Sequence, residues 1–254
     1  EGAFAAAACE ALLVLARERD VVALGPGIGR AEETQKLVCE LVERIERPLV
    51  LDADGLFPFS ASARTRARQL GALKGRRAAT ILTPHPGEAA RLLGTSAADI
   101  NRDRVGSARR IAELAGAVVV LKGAATVVAA PDGRVAVNPT GGPALGTGGT
   151  GDVLTGVIAA LLAQQTARRT GARGREMAGR ARGRGGSDPF AEAFACAALG
   201  VWLHGRAGDR LAARRGTAGV SAGEVAAELP ETLEELRRAR PDPAAEAALA
   251  LPFP

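Results

Sequence analysis

Four short runs of aliphatic and β-branched residues punctuate the chain: "DVVAL" at 20–24, "PLVLDAD" at 48–54, "ATILT" at 79–83 and "AVVVLKG" at 117–123. None alternates apolar with polar positions. Uniformly apolar strands are those buried on both faces, as in a parallel sheet covered by helices. Between them the period changes to that of a helix. Leu37, Leu41 and Ile45 recur at helical spacing in 30–46, and Val105, Ala108, Ile111 and Leu114 do so in 101–116. The resulting β-α-β order predicts an α/β fold with a mostly parallel central sheet, helices on both faces, and ligands at the carboxyl ends of the strands.

Two further runs, "TVVAAP" at 126–131 and "RVAVNP" at 134–139, are joined by Asp132-Gly133. That dipeptide is a strong hairpin signal. A glycine-rich loop, "GTGGTGDVLTG" at 146–156, follows, and 153–164 reads as a buried helix. Further on, 188–215 opens with Asp188 as a cap and Pro189 at the first helical position. The apolar opening of the chain lacks a basic leading segment and is interrupted by Glu10, so it reads as a core helix and not as a signal sequence.

Composition narrows the class. In 254 residues with 47% hydrophobic content there is enough material for a sizeable core. The longest apolar stretches fall short of the roughly 18 residues of a membrane span. Cys9, Cys39 and Cys196 lie far apart, and the histidines are His85 and His204 alone. Neither a disulfide framework nor a zinc site is suggested, a reducing cytoplasm fits, and any metal would be Mg²⁺. The net charge of +5 suggests nucleic acid until its location is considered. Residues 166–187 hold seven Arg and one Glu, which leaves the remainder near neutrality. This stretch is expected to be a mobile, solvated surface insertion, with contact to RNA or an acidic partner as the less favoured reading.

The candidate chemistry falls at strand ends. "GPGIGR", 25–30, fails the dinucleotide fingerprint because Arg30 stands where glycine is required, yet Gly25, Gly27 and Gly29 permit a tight turn close to a ligand. "TPHPGE" brackets His85 between prolines, scaffolding that suits ligand contact better than mere solvation. Glu88 would either serve the dipole of the following helix or orient hydrated Mg²⁺. Asp52, Asp54 and Lys122 also end strands, and His204 reads as structural. "GTGGTGDV" has the glycine frame of a P-loop, but Asp152 and Val153 replace its Lys and Ser or Thr. Glycine amides and a helix N-terminus make an anion site without lysine. Asp152 is then free to act as a general base toward a substrate hydroxyl.

In order and spacing, "GPGIG", "LDADGL", "TPHPGEAARLL", "LKGAAT", "NPTGGPALGTGGTGDVLTGVIAALLAQ" and "LHGRAGD" closely resemble the ADP-dependent NAD(P)H-hydrate dehydratases of the ribokinase-like superfamily. The resemblance covers 20–215. It implies repair of hydrated NADH or NADPH by phosphoryl transfer to the ring hydroxyl and loss of phosphate, with ADP or ATP as donor and Mg²⁺. It also implies that Asp152 is the catalytic base and contacts the hydrate, that Gly27, Gly29 and His85 line the hydrate site, and that Lys122, Gly123, Ala124, Ala125, Thr126, Gly149 and Gly151 hold the adenine nucleotide. A homo-oligomer, a tetramer, is expected, as is an epimerase domain or partner acting alongside.

The sequence departs from the family at Phe57, commonly Asn, and at the Arg-rich insertion. The family would also place several elements before "GPGIG", so 1–254 is expected to be one such domain, N-terminally incomplete. Two other readings stay open. A kinase for a small hydroxylated vitamin precursor would share Asp152 and the anion site, and a nucleic-acid binder would use the Arg-rich stretch.

Overall fold

The computed structural model describes residues 6–60, 66–178 and 189–239. Strands β1 (Val22–Leu24), β2 (Leu49–Leu51), β3 (Thr80–Leu82) and β4 (Val118–Leu121) fall inside the four apolar runs. They lie side by side in chain order and pair in parallel. β5 (Val127–Ala129) and β6 (Val135–Val137) continue the sheet as the expected antiparallel hairpin, turning at Gly133 with φ +94°.

The lack of alternation has its expected cause: β2 and β4 are inaccessible along their whole length. Leu49, Leu51, Leu82, Val119 and Leu121 point to one face. There they meet α2 (Glu32–Arg44), α3 (Arg66–Lys74), α4 (Pro86–Leu93) and α6 (Arg104–Ala115) through Val38, Leu73, Leu92 and Ile111. Val50, Ile81, Val118 and Val120 point to the other, against Leu154, Ile158 and Leu162 of α7 (Thr150–Ala178) and Ala197 and Val201 of α8 (Pro189–Arg215). Each such side chain contributes about 1.5–3 kcal/mol on burial, so both faces are strongly specified. The opening segment is helical as expected: α1 (Cys9–Arg17) packs Cys9, Leu13 and Ala16 on Leu37, Leu41 and Ile45.

Two readings are corrected. The helix expected over 101–116 is two helices, α5 (Ala97–Arg102) and α6, because Asp103 leaves helical geometry at ψ 79° and accepts the Gly106 N–H at 2.7 Å as an N-cap. Residues 166–178 of the expected loop belong to α7. Arg, Ala, Glu and Met are good helix formers, and extending an existing helix avoids the cost of nucleation. Residues 179–187, with the expected cap Asp188, lie outside the described residues. After α8, a third helix, α9 (Ala222–Arg238), opens on a Ser221–Glu224 capping box and packs against it.

Candidate active site

Loops leaving the carboxyl ends of β1 to β4 share one edge of the sheet. The turn at 25–30 is held by Asp54, which accepts the Gly29 N–H at 3.2 Å and the Arg30 Nε at 2.5 Å. The guanidinium of Arg30 then lies 5.1 Å from the Phe57 ring centroid, so the residue that departs from the family pattern serves as its platform. Gly25, at φ +138°, is required by close approach, since a side chain there would overlap the Asp52 carbonyl.

Beneath these loops lies a buried polar cluster. Asp52, 1% exposed, accepts Lys122 Nζ at 2.6 Å and the Ala53 N–H at 2.8 Å on one oxygen, and the Thr155 hydroxyl at 2.7 Å on the other. Glu88, also buried, stands 3.9 Å from the same ammonium. One lysine thus serves two buried carboxylates. Glu88 accepts the His85 N–H at 2.8 Å, while His85 Nδ1 accepts the N–H groups of Gly87 and Glu88 at 3.0 and 3.3 Å. This reciprocal capping fixes the Pro-bracketed turn to the start of α4. Burial holds the His85 imidazole below its ordinary pKa, against the opposing pull of Glu88.

Over the cluster opens a cavity of about 670 Å³, lined by His85, the turn Lys122–Thr126, the segment 138–151 in large part, and His204 with Gly205. In this turn Gly123 takes φ +131° and Ala125 the strained φ +50°, and Thr126 Oγ1 donates to the Gly123 carbonyl at 2.8 Å. Across from it the glycine loop runs over a face of α8. Thr140 Oγ1 donates to the Trp202 carbonyl at 3.0 Å and Gly141 N–H to Asp209 Oδ2 at 3.0 Å. A Cβ at Gly208 would come within 2.7 Å of Leu145. The "LHGRAGD" motif is therefore the seat of this loop.

At the loop's end Gly149 takes φ +88°, and Thr150 turns its hydroxyl inward to the carbonyls of Leu145 and Thr147 at 2.8 and 2.9 Å. Among the described residues, the N–H groups of Gly148, Gly149 and Gly151 have no protein acceptor. They gather at the positive end of the long helix α7, an arrangement suited to an anion. Asp152 is exposed in the first turn of α7, with its own N–H donating to the Gly149 carbonyl at 3.1 Å.

His85, Lys122, Gly123, Ala124, Ala125, Thr126, Gly149 and Gly151 thus meet in one cavity. Asp152, Gly27 and Gly29 do not line it: Asp152 directly follows the lining residue Gly151 in the first turn of α7, and Gly27 and Gly29 belong to the loop after β1. Lys122 is mostly engaged from below by Asp52. The residues that sequence reading left without roles are Asp52 and Thr155, whose partners lie 70 and 103 positions away. His204 lines the cavity as well as filling space: it is 8% exposed, and its Nε2 is buried without a partner. Burial lowers its pKa to about 4. Among the described residues no three His, Cys, Asp or Glu side chains group as a metal cage.

A mostly parallel sheet with a glycine cradle at a helix start, whose own loop carries no lysine, beside an exposed acid, is the architecture of the ribokinase-like class of folds. Solved structures share that architecture. A Bacillus subtilis ADP/ATP-dependent NAD(P)H-hydrate dehydratase, co-crystallized with ATP/Mg²⁺, superposes with a TM-score of 0.64 at 29% identity over 88% of this chain and 69% of its own. A hydroxyethylthiazole kinase from Pyrococcus horikoshii shares the fold at a TM-score of 0.58 and 18% identity, over 89% of this chain and 75% of its own.

The chain belongs to the NAD(P)H-hydrate dehydratase family, whose pattern matches residues 4–231. It is 42% identical over 235 residues to the bifunctional NAD(P)H-hydrate repair enzyme Nnr of Moorella thermoacetica, covering 92% of this chain and 38% of that protein. To the ADP-dependent (S)-NAD(P)H-hydrate dehydratase of Neisseria meningitidis serogroup B it is 41% identical over 227 residues, 88% of this chain and 65% of the relative. The chain therefore spans less than two thirds of the length of either.

Proposed function

We propose that this chain dehydrates the hydrated (S) form of NADH or NADPH at the expense of ADP or ATP, as a carbon–oxygen lyase of metabolite repair. The supporting observation is the cavity itself. A strained turn and a glycine loop with unpaired amides face each other there, and an exposed carboxylate follows the last glycine. In this reading the adenine nucleotide takes the turn 122–126, and the phosphate to be transferred meets the amides of Gly149 and Gly151. The hydrate lies toward His85, Gly27 and Gly29.

Asp152 removes the proton of the ring hydroxyl as its oxygen attacks the terminal phosphorus, and the nucleotide departs one phosphate shorter. Charge developing on the transferred group is met by amides already in place, which do not reorganise during the step. Breaking the C–O bond then releases phosphate, and loss of a ring proton restores the double bond. Because Asp52 is committed to Lys122 and Thr155, and Glu88 to capping α4, Mg²⁺ would arrive on the nucleotide phosphates and keep most of its waters. The Bacillus subtilis relative's crystallization with ATP/Mg²⁺ supports that pairing.

Three free cysteines fit a cytoplasmic setting, and among the described residues no helix is long and apolar enough to cross a membrane. A homo-oligomer, as a tetramer, and cooperation with an epimerase activity complete the proposal; the second is supported by the bifunctional relatives. The test incubates the purified chain with hydrated NADH and ADP or ATP and follows the returning absorbance of NADH. Recovery that disappears in a folded Asp152→Asn variant supports the reading. Accumulation of a stable phosphorylated product without NADH would favour a small-molecule kinase.

A further inference from the structure

Behind the turn that the proposed function gives to the nucleotide stands a cation without a counter-ion. Arg104, at the start of α6, donates Nη2 to the carbonyls of Leu121 and Lys122 at 3.0 and 3.2 Å, and Nη1 to Asn101 Oδ1 at 3.2 Å. All three acceptors are neutral. Its Nε is buried without a partner, and among the described residues it forms no ion pair. The two terminal nitrogens lie against Gly123, so close that a Cβ there would be 3.2 Å from each. Gly123, itself part of the cavity wall, is thus packed directly against this guanidinium.

We infer that Arg104 is the positioning residue of the turn Lys122–Thr126 and lends its uncompensated positive charge to a phosphate-bearing ligand in the cavity. Two independent features carry this. The fork of hydrogen bonds takes up the last carbonyl of β4 and the one that follows it, at the point where the chain leaves the sheet for a turn with two positive-φ residues, Gly123 and Ala125. A half-buried charge is costly when it lacks a partner, and its partial desolvation lowers the Arg104 pKa. An anion on the far side of Gly123 would offset that cost. Among the described residues, protein carboxylates do not: the adjacent Asp103 caps α6, and Asp52 and Glu88 are bound to Lys122 and to the capping of α4. The inference rests on the nucleotide occupying this cavity.

The experiment measures ADP and adenosine binding by calorimetry, with adenosine also run as a competitor, on the wild-type chain, Arg104→Met and Arg104→Gln. Gln keeps an N–H donor for the carbonyls and discards the charge, so it serves if Met fails to fold, as judged by the fluorescence of Trp202 and by circular dichroism. ADP affinity should fall tenfold or more in either folded variant, while adenosine affinity stays within threefold. In turnover, KM for ADP should rise with kcat changed by less than threefold. ADP affinity within threefold of wild type, or an equal loss for adenosine and ADP, would overturn the inference. Failure of the wild-type chain to bind ADP would instead overturn the nucleotide assignment beneath it.

Discussion

Replacing Asp52 with Asn removes one charge and almost no volume from the most buried ion pair of the site. Asn can still accept Lys122 and the Ala53 N–H, and Thr155 can still exchange a hydrogen bond with the new amide, so the change isolates the carboxylate's charge. Loss of one partner of a buried pair costs about 3–5 kcal/mol. Lys122 is 18% exposed and keeps Glu88 at 3.9 Å, which places Asp52→Asn near the lower end, about 3 kcal/mol. For a chain of this size about 2–4 °C accompany each kcal/mol, so Tm should fall by about 6–12 °C. Thermal melts followed by circular dichroism and by Trp202 fluorescence test this. The companion variants are Lys122→Met and the double change. Each single strands a charge that the double does not, so the double should be more stable than the sum of the two losses by about 1–3 kcal/mol. Strict additivity, or a loss below about 1 kcal/mol for Asp52→Asn, would refute the argument that this pair is buried and mutually dependent.

Other outcomes follow from single contacts. Asp152→Asn should lower turnover by about 10²–10⁴-fold while stability stays within about 0.5 kcal/mol, since the side chain is exposed; stopped-flow kinetics and melts check the two halves. His204, with a folded pKa near 4 against an unfolded value of 6.5, binds its proton more readily when unfolded. Its contribution is therefore complete above pH 6.5 and is lost as pH falls toward 4, on the order of 3 kcal/mol. Urea titrations across that window should show a slope that His204→Gln flattens. Gly25→Ala sets a Cβ onto the Asp52 carbonyl at a positive φ and should cost more than about 3 kcal/mol, read as a loss of soluble, cooperatively melting protein. Asp54→Ala releases the Gly29 N–H and Arg30, so KM for the hydrate should rise severalfold with little change in Tm.

The sheet is legible because the strands are buried on both faces and therefore written as unbroken apolar runs, and the hairpin because Gly133 supplies the positive φ at its turn. The helix division at Asp103 is hidden in the apolar spacing, which runs on past it; only the capping side chain marks the break. In the Arg-rich stretch, residues 166–178 are helical where charge and glycine suggest a loop, because arginine and alanine readily extend a helix already begun. At the site, loops with glycine or proline announced themselves, and His85, Lys122 and Gly149 meet as expected. Asp52 is visible in the sequence only as a strand-end acid and Thr155 not at all, since their roles arise from pairing across 70 and 103 residues. Arg104 was equally silent: a first-turn arginine looks like any other until its carbonyl partners on β4 are seen.

Seating the glycine loop on α8 ties the order of folding to the appearance of binding. Residues 138–146 gain their resting place only when Trp202, Gly205, Gly208 and Asp209, some sixty positions later, have packed. Contacts so distant along the chain are slow to form, because loop closure must precede their reward. The parallel strands can pair before the cavity exists. Ligand-dependent protection of the glycine loop in a refolding reaction would consequently report the last act of assembly, arriving with α8 and not with the sheet.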